Sequence, residues 1–327
     1  MQKIFRRLLI LFVALAISVL PAMPVHAAAP MANTQTPGFY RLPLGKFEVT
    51  ALFDGAIGLN KDLLQYIPPQ ATARLLNRMF VGSPQMQTSV NGYLINTGAH
   101  LVLIDAGGTA AFRPGLGNLL NNLKASGYQP EQVDAVLITH LHGDHVGGIT
   151  DASGKPVFPN ATIYTAQAES DFWLSLKNAE AAAKERQATF KFARDSAAPY
   201  QAAGQWKTFS GDNVELVPGI FALDTHGHPP GHTVYAVRSE GQQLLVWGDL
   251  LHAHAVQFVK PGVAMIFDND KKLAIAARRR ILQLAAKDQA LIAGAHLPFP
   301  GIGRVRAEGK DSYAWVPVEF TPLPEKQ

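Results

Sequence analysis

Three histidines and an aspartate fall within six residues in Thr139-His140-Leu141-His142-Gly143-Asp144-His145, directly after the apolar run Asp134-Ala-Val-Leu-Ile-Thr139. A short, bounded, β-branched run of this kind reads as a buried strand. Four side chains of metal-ligand type therefore leave the end of a core strand together. Alternate residues of an extended segment share a side, so His140 and His142 face together, and Gly143 lets the backbone turn to aim Asp144 and His145 at a second point. The chain has 11 histidines in 327 residues, and a merely solvated loop would not gather them so tightly. The pattern predicts a strand-end loop that serves two metal ions.

There is no cysteine, so no disulfide forms and any transition metal is held by imidazole and carboxylate alone. With 47% apolar and 17% charged residues, the chain has the composition of a globular protein with a sizeable core. Its first 28 residues carry Lys3, Arg6 and Arg7, an apolar run over 8–20 and small residues at 27–29. That is the layout of a signal peptide cut near Ala27 or Ala28. The apolar run is shorter than the ~20 residues a membrane span needs. The expectation is a signal peptide over 1–28, one domain over 29–327, export to the periplasm or medium, and no stable membrane insertion after cleavage. The leader holds three positive charges and no acid, so a net charge of +4 falls to +1 without it, and nothing favours nucleic acid as a partner.

After a Pro-containing entry at 28–37, residues 39–52 alternate apolar and polar positions and predict an edge hairpin. Strands are expected at 90–96, 101–105, 162–165, 221–225, 233–237, 244–247 and 291–293. Helices are expected at 116–126, stopping at Gly127, across most of 167–198, and at 271–286. Strands in both halves with helices between them favour a layered α/β sandwich. The triplet Arg278-Arg279-Arg280 reads as a solvated or salt-bridged helix face.

The loop from His140 to His145 resembles the His-x-His-x-Asp-His hallmark of the metallo-β-lactamase superfamily. The resemblance implies a four-layer αββα sandwich with metals at one edge of the sheets. Thr225-His226-Gly227-His228-Pro229-Pro230-Gly231-His232 is similar to a second family segment, which makes His228 the ligand, places His232 beneath the site and leaves His226 outside it. Leu244-Leu-Val-Trp-Gly-Asp249 ends as the family's metal-bridging aspartate does, and His296 after Leu-Ile-Ala-Gly-Ala completes the set. By this resemblance His140, His142 and His228 hold one ion and Asp144, His145 and His296 the other, with Asp249 and a hydroxide bridging them. Three terminal protein ligands per ion leave room for substrate, as in catalytic sites. Zinc is the expected metal, and cobalt, manganese and iron suit the same donors. The bridging hydroxide would be the nucleophile.

A closer resemblance, to the methyl parathion hydrolase family and its lactonase relatives, rests on Thr88-Ser-Val-Asn-Gly-Tyr-Leu-Ile-Asn-Thr97, Ala125-Ser-Gly-Tyr-Gln-Pro-Glu-Gln-Val-Asp134, Ala168-Glu-Ser-Asp-Phe-Trp173 and the stretch from His296 to Lys310. It implies an aromatic pocket wall of Phe112, Trp173 and one of Phe190 or Phe192, and a homodimer. The departure is His252, where the organophosphate hydrolases are apolar. A histidine three residues past the bridging aspartate could bind a polar substrate or steady a carbonyl oxyanion, or else sit on the rim. Asp249, Asp144 and His252 are thus the residues expected in the chemistry, with His252 also counted for substrate binding. The expected activity is hydrolysis of lactones or aryl esters, with organophosphate triesters as a side reaction. The alternatives are phosphotriesters as the main substrate, and an exported metal-binding protein without turnover.

Overall fold

The computed structural model describes residues 29–82 and 84–323; the signal peptide expected over 1–28 lies outside them. The chain from Pro37 onward forms one compact unit. Two seven-stranded sheets dominate it. The first runs in the order β1 (Phe39–Leu44), β2 (Phe47–Leu59), β4 (Met86–Asn96), β5 (Leu101–Ile104), β6 (Ala135–Leu137), β7 (Thr162–Ala166) and β8 (Trp206–Phe209). The second runs β16 (Ser312–Pro317), β15 (Ile302–Gly309), β14 (Leu291–Ala293), β12 (Gln242–Val246), β11 (Thr233–Ser239), β10 (Ile220–Asp224) and β9 (Val214–Val217). A small pair, β3 (Leu64–Gln65) with β13 (Ala264–Met265), stands apart from both.

Period-two alternation decides which side chain goes into which layer. Val102 and Ile104 of β5, Tyr235 and Val237 of β11 and Leu244 and Val246 of β12 meet in the core between the sheets. Their neighbours point the other way. Leu101 and Leu103 pack with Leu119, Leu123, Trp173 and Phe190 from helices outside the first sheet, and Val234, Ala236 and Leu245 pack with Ile281, Leu282 and Ala285 of the helix Lys271–Asp288 outside the second. The result is a four-layer αββα sandwich, buried on both faces of both sheets, which is why the central strands read as near-continuous apolar runs.

The expected helix over 116–126 is the shorter Leu119–Ala125. The chain before it is held as a loop by Asp54, a fully buried carboxylate that accepts the amides of Gly108, Gly117 and Leu119. The helical stretch over 167–198 is three helices, Gln167–Trp173, Leu176–Ala181 and Lys184–Ala202, the second started by the Ser175 hydroxyl accepting the Asn178 amide. The tail after His296 forms β15 and β16, an antiparallel pair unmarked in the sequence reading. The arginine triplet also divides. Arg279 pairs with Asp311 at the surface, whereas Arg278 is buried and donates to the carbonyls of Leu250, Pro261 and Val263. A guanidinium with three backbone acceptors and Asp268 3.8 Å away can be taken out of water.

β5 and β6 are parallel, as are β12 and β14, and β10 runs with them because β11 is antiparallel to both β10 and β12. The segments carrying His228, Asp249 and His296 therefore leave one edge of the second sheet, and contacts of these residues with His140, His142 and His145 bring the loop after β6 to the same edge of the sandwich.

Candidate metal centre

The seven ligand candidates converge at that edge in two clusters. In the first, His142 Nδ1 lies 2.9 Å from His140 Nε2 and 3.2 Å from His228 Nε2. Asp249 Oδ2 stands 3.3 Å from His140 Nε2 and 3.1 Å from His228 Nε2. In the second, Asp249 Oδ1 is 3.0 Å from His145 Nε2 and 2.9 Å from His296 Nε2, and Asp144 Oδ2 is 3.8 Å and 3.6 Å from the same nitrogens. Each oxygen of Asp249 faces a different set of imidazoles.

The far side of each ring shows which nitrogen is free to bind. Asp105 accepts the Thr139 amide on Oδ1, and the Thr139 hydroxyl and His145 Nδ1 on Oδ2, each at 2.8 Å. His145 Nε2 is left as a lone pair. Because the Thr139 hydroxyl gives its proton to Asp105, its oxygen accepts from His140 Nδ1 at 3.1 Å, and His140 Nε2 is likewise free. His228 Nδ1 is held by Asp268 and His296 Nδ1 by the Ser89 carbonyl, both at 2.8 Å. These acceptors fix tautomer and orientation as metal sites require. Asp105 does so from a left-handed backbone, φ 58°, a conformation that costs on the order of 1 kcal/mol or more and points to a constrained functional position. Neither Asp105 nor Asp268 was singled out from the sequence; an acidic residue at a strand end, as Asp105 is, has the same local signal as a turn residue.

The donor set fits cations. Lone pairs of His140 Nε2 and His228 Nε2 both crowd His142 Nδ1, and at most one of them can receive a proton from it. His145 Nε2 and Asp249 Oδ1 are buried and 3.0 Å apart, yet they are not aligned as a hydrogen bond and have no other partner among the described residues. Converging unshared pairs with nothing between them are what a metal ion resolves. In the protein alone, burial holds the rings of His140 and His142 well below the ordinary imidazole range. Without ions a proton stands in for the cation on Nε2 of His145 and His228: burial opposes it, but Asp249 with Asp105 and Asp144 outweighs burial at His145, and Asp249 with Asp268 lifts His228 to about 9. Asp249 stays ionised despite burial because the imidazoles around it, His145 and His296 first, hold its carboxyl well below the carboxylate range.

The flanking histidines have distinct places. His232 lies beneath the site: its Nε2 accepts the Asp249 amide at 3.0 Å, and its Nδ1 bonds the Thr225 hydroxyl at 2.8 Å. His226 is exposed beside Asp224. His252 is not a rim residue. It is buried at the cavity floor, with Nε2 3.0 Å from Asp249 Oδ2, its ring stacked on His296 at 4.9 Å, and Nδ1 without a partner among the described residues. Burial lowers its pKa to about 4, so at neutral pH it is an uncharged donor to Asp249.

Above the clusters is a cavity of about 410 Å³. Ile57, Leu59, Phe112, Trp173, Ile266 and Phe267 make the apolar part of its walls, Arg113, Arg186 and Thr189 add polar groups, and His142, Asp144, Asp249, His252 and His296 also line it. Phe112 reaches in because Gly143 has no side chain; a Cβ there would lie 2.4 Å from the ring. Phe190 and Phe192 do not line the cavity. Phe190 is buried behind Trp173, ring centres 4.6 Å apart, and Phe192 stands behind Phe112 at 5.1 Å. Both are reached from the inner side of the helix Lys184–Ala202, so they brace the wall from behind. Among the described residues no helix is long and apolar enough to cross a membrane.

Residues 86–296 match the metallo-beta-lactamase superfamily. A crystal structure of hydrolase AbOPH, described as in the beta lactamase superfamily, is similar over 88% of this chain and 100% of its own, at 40% identity and a TM-score of 0.84. AidC, a dizinc quorum-quenching lactonase solved with a product, is similar over 87% and 99%, at 27% identity and a TM-score of 0.79. An N-acyl homoserine lactonase of Bacillus sp is 26% identical over 185 residues, which is 54% of this chain and 61% of that protein. The chain thus spans about three fifths of the length of the curated lactonase it matches.

Proposed function

This chain belongs to the metallo-β-lactamase superfamily, and from that premise we propose that it is a dinuclear metal-dependent hydrolase of lactones or aryl esters. The observation that carries the reading is Asp249, whose two oxygens face two separate ligand sets. His140, His142 and His228 would hold one ion, Asp144, His145 and His296 the other, and Asp249 both. Two divalent ions of the kind these donors prefer, zinc first, supply Lewis-acid polarisation of an ester carbonyl and bring the ionisation of water towards neutral pH.

The protein's own part is placement. Asp105, Asp268 and the Ser89 carbonyl fix the ligand rings from behind. His232 fixes the backbone of Asp249. His252 donates Nε2–H to Asp249 Oδ2 and restrains how that carboxylate can rotate. Asp144, partly exposed at the cavity base, is the carboxylate on hand to take up and return a proton. The Phe112 and Trp173 walls exclude water and receive an apolar or aromatic substrate body. A cavity of this size admits a small molecule. The lactonase relatives support cyclic esters, and the apolar walls suit aryl leaving groups, so organophosphate triester hydrolysis is the side activity of this reading. Export, read from the first 28 residues alone, would place the enzyme in the periplasm or medium.

The test is purified, metal-loaded protein assayed on an aromatic lactone, an N-acyl homoserine lactone and a nitrophenyl phosphotriester. Lactone turnover above phosphotriester turnover is expected. A dominant phosphotriester rate would reverse the substrate assignment, and bound metal without turnover of any of the three would refute the enzyme reading.

A further inference from the structure

Glu169 is fully buried in the first turn of the helix Gln167–Trp173 and has no part in the reading above. Its two oxygens go to two different loops. Oε1 accepts the amide of Leu141 at 2.8 Å, and Oε2 accepts the amide of Gly231 at 2.9 Å. Leu141 lies between His140 and His142; Gly231 lies in the turn that presents His228. All three ligands of the first cluster are therefore carried by the two loops that this one carboxylate joins. The second loop is pressed onto the helix: a Cβ on Gly231 would lie 2.3 Å from the Glu169 amide nitrogen and 2.5 Å from its Cβ. The second cluster has different supports, Asp105 behind His145 and the Ser89 carbonyl behind His296.

We infer that Glu169 is a positioning residue for one ion only, a carboxylate staple that sets the spacing of His140, His142 and His228. The inference rests on the dinuclear reading above. A buried carboxylate is an expensive group to keep, and two backbone amides from separate loops are the partners that justify its place. Neither glutamine nor alanine can replace it: glutamine offers one acceptor oxygen and turns a donor towards the other amide.

The test is titration at pH 8, where the Glu169 carboxyl is ionised even without ions, of ion-free wild-type, Glu169→Gln and Glu169→Asp proteins with Zn²⁺ and Co²⁺, following stoichiometry and each binding constant, together with amide hydrogen exchange of the ion-free proteins at the same pH. The wild type should bind two ions. Glu169→Gln should bind one as the wild type does and the other about 10- to 100-fold more weakly, the usual effect of losing an outer partner of the ligands. Its Leu141 and Gly231 amides should lose protection. Glu169→Asp keeps the charge but is one methylene short of spanning both amides, so it should show the same one-ion deficit at smaller size, which keeps the test open if the glutamine variant folds poorly. Both ions bound within threefold of wild type in both variants, or both weakened equally, would overturn the inference. Fewer than two ions on the wild type would overturn the dinuclear reading and this inference with it.

Discussion

Replacing Asp249 by asparagine keeps the size of the side chain and removes the one carboxylate that both clusters share. The fold should survive, because the backbone at 249 is held independently by His232, whose Nε2 accepts the Asp249 amide. The loss falls on the ions. Asp249 supplies one oxygen to each cluster, and four-ligand zinc sites are worth about 10–16 kcal/mol in total. One ligand of four is then worth roughly 2.5–4 kcal/mol, or a factor of about 100 to 1000 in affinity. Asparagine retains one neutral oxygen, so one ion should lose its ligand outright and the other should keep a weaker one. The expected result is an affinity at least about 100-fold lower for one ion, and a comparable fall in kcat/KM on a lactone. Metal content after dialysis, with competition against a chromophoric chelator, measures the first, and steady-state assay of the reconstituted variant the second. Two ions retained within threefold of wild-type affinity, with unchanged turnover, would show that Asp249 is not shared.

Other perturbations probe the surroundings. His252→Leu removes the donor to Asp249 and leaves an apolar floor, so the ratio of lactone to phosphotriester kcat/KM should fall; an unchanged ratio would take His252 out of specificity. Arg278→Met takes the guanidinium from the Leu250 and Pro261 carbonyls, while Val263 keeps the Gln257 side chain and Asp268 keeps His228 and the Met265 amide; two buried acceptors that lose this donor, at about 1–3 kcal/mol each, cost roughly 2–6 kcal/mol. Urea denaturation would measure it, and a loss under about 1 kcal/mol would contradict the packing described. Burial raises the carboxyl of Glu169 to about 7 in the protein without ions, against an ordinary value of 4.5. Between those two pH values the folded protein holds a proton that the unfolded chain has released. Ion-free protein should therefore lose stability as pH rises across that window, by up to about 1.4 kcal/mol per pH unit from this group. Glu169→Gln should flatten that slope, and identical slopes would exclude Glu169 as its source.

The ligand loop is legible in the sequence because its four donors are contiguous and follow a recognisable core strand. His228, Asp249 and His296 are scattered, and only resemblance joined them; the fold joins them physically by bringing β10, β12 and β14 to one edge in the same direction. What stays hidden is what holds them. Asp105, Asp268 and Glu169 are acidic residues in loops or at element starts, where the local pattern is the same for a cap, a turn or a buried acceptor. Arg278 hides among surface arginines for a related reason: Arg279 and Arg280 share its chemistry, and only the position of the helix against the second sheet separates the three. β15 did leave a trace, since Arg304, Arg306 and Glu308 alternate along it, but Ile302 and Val305 are its only large apolar residues. An edge region with so little core contact reads as a tail. Phe190 and Phe192 show the converse problem, because an aromatic at helical spacing can form a wall or brace one, and the choice is made by the neighbouring layer.

The central claim is that two ions, not one, make the working centre. Adding Zn²⁺ stepwise to ion-free protein while following lactone hydrolysis tests it most directly. Activity should be absent without metal and reach its plateau at two equivalents; a plateau at one equivalent, or full activity with none, would show that two ions are not required.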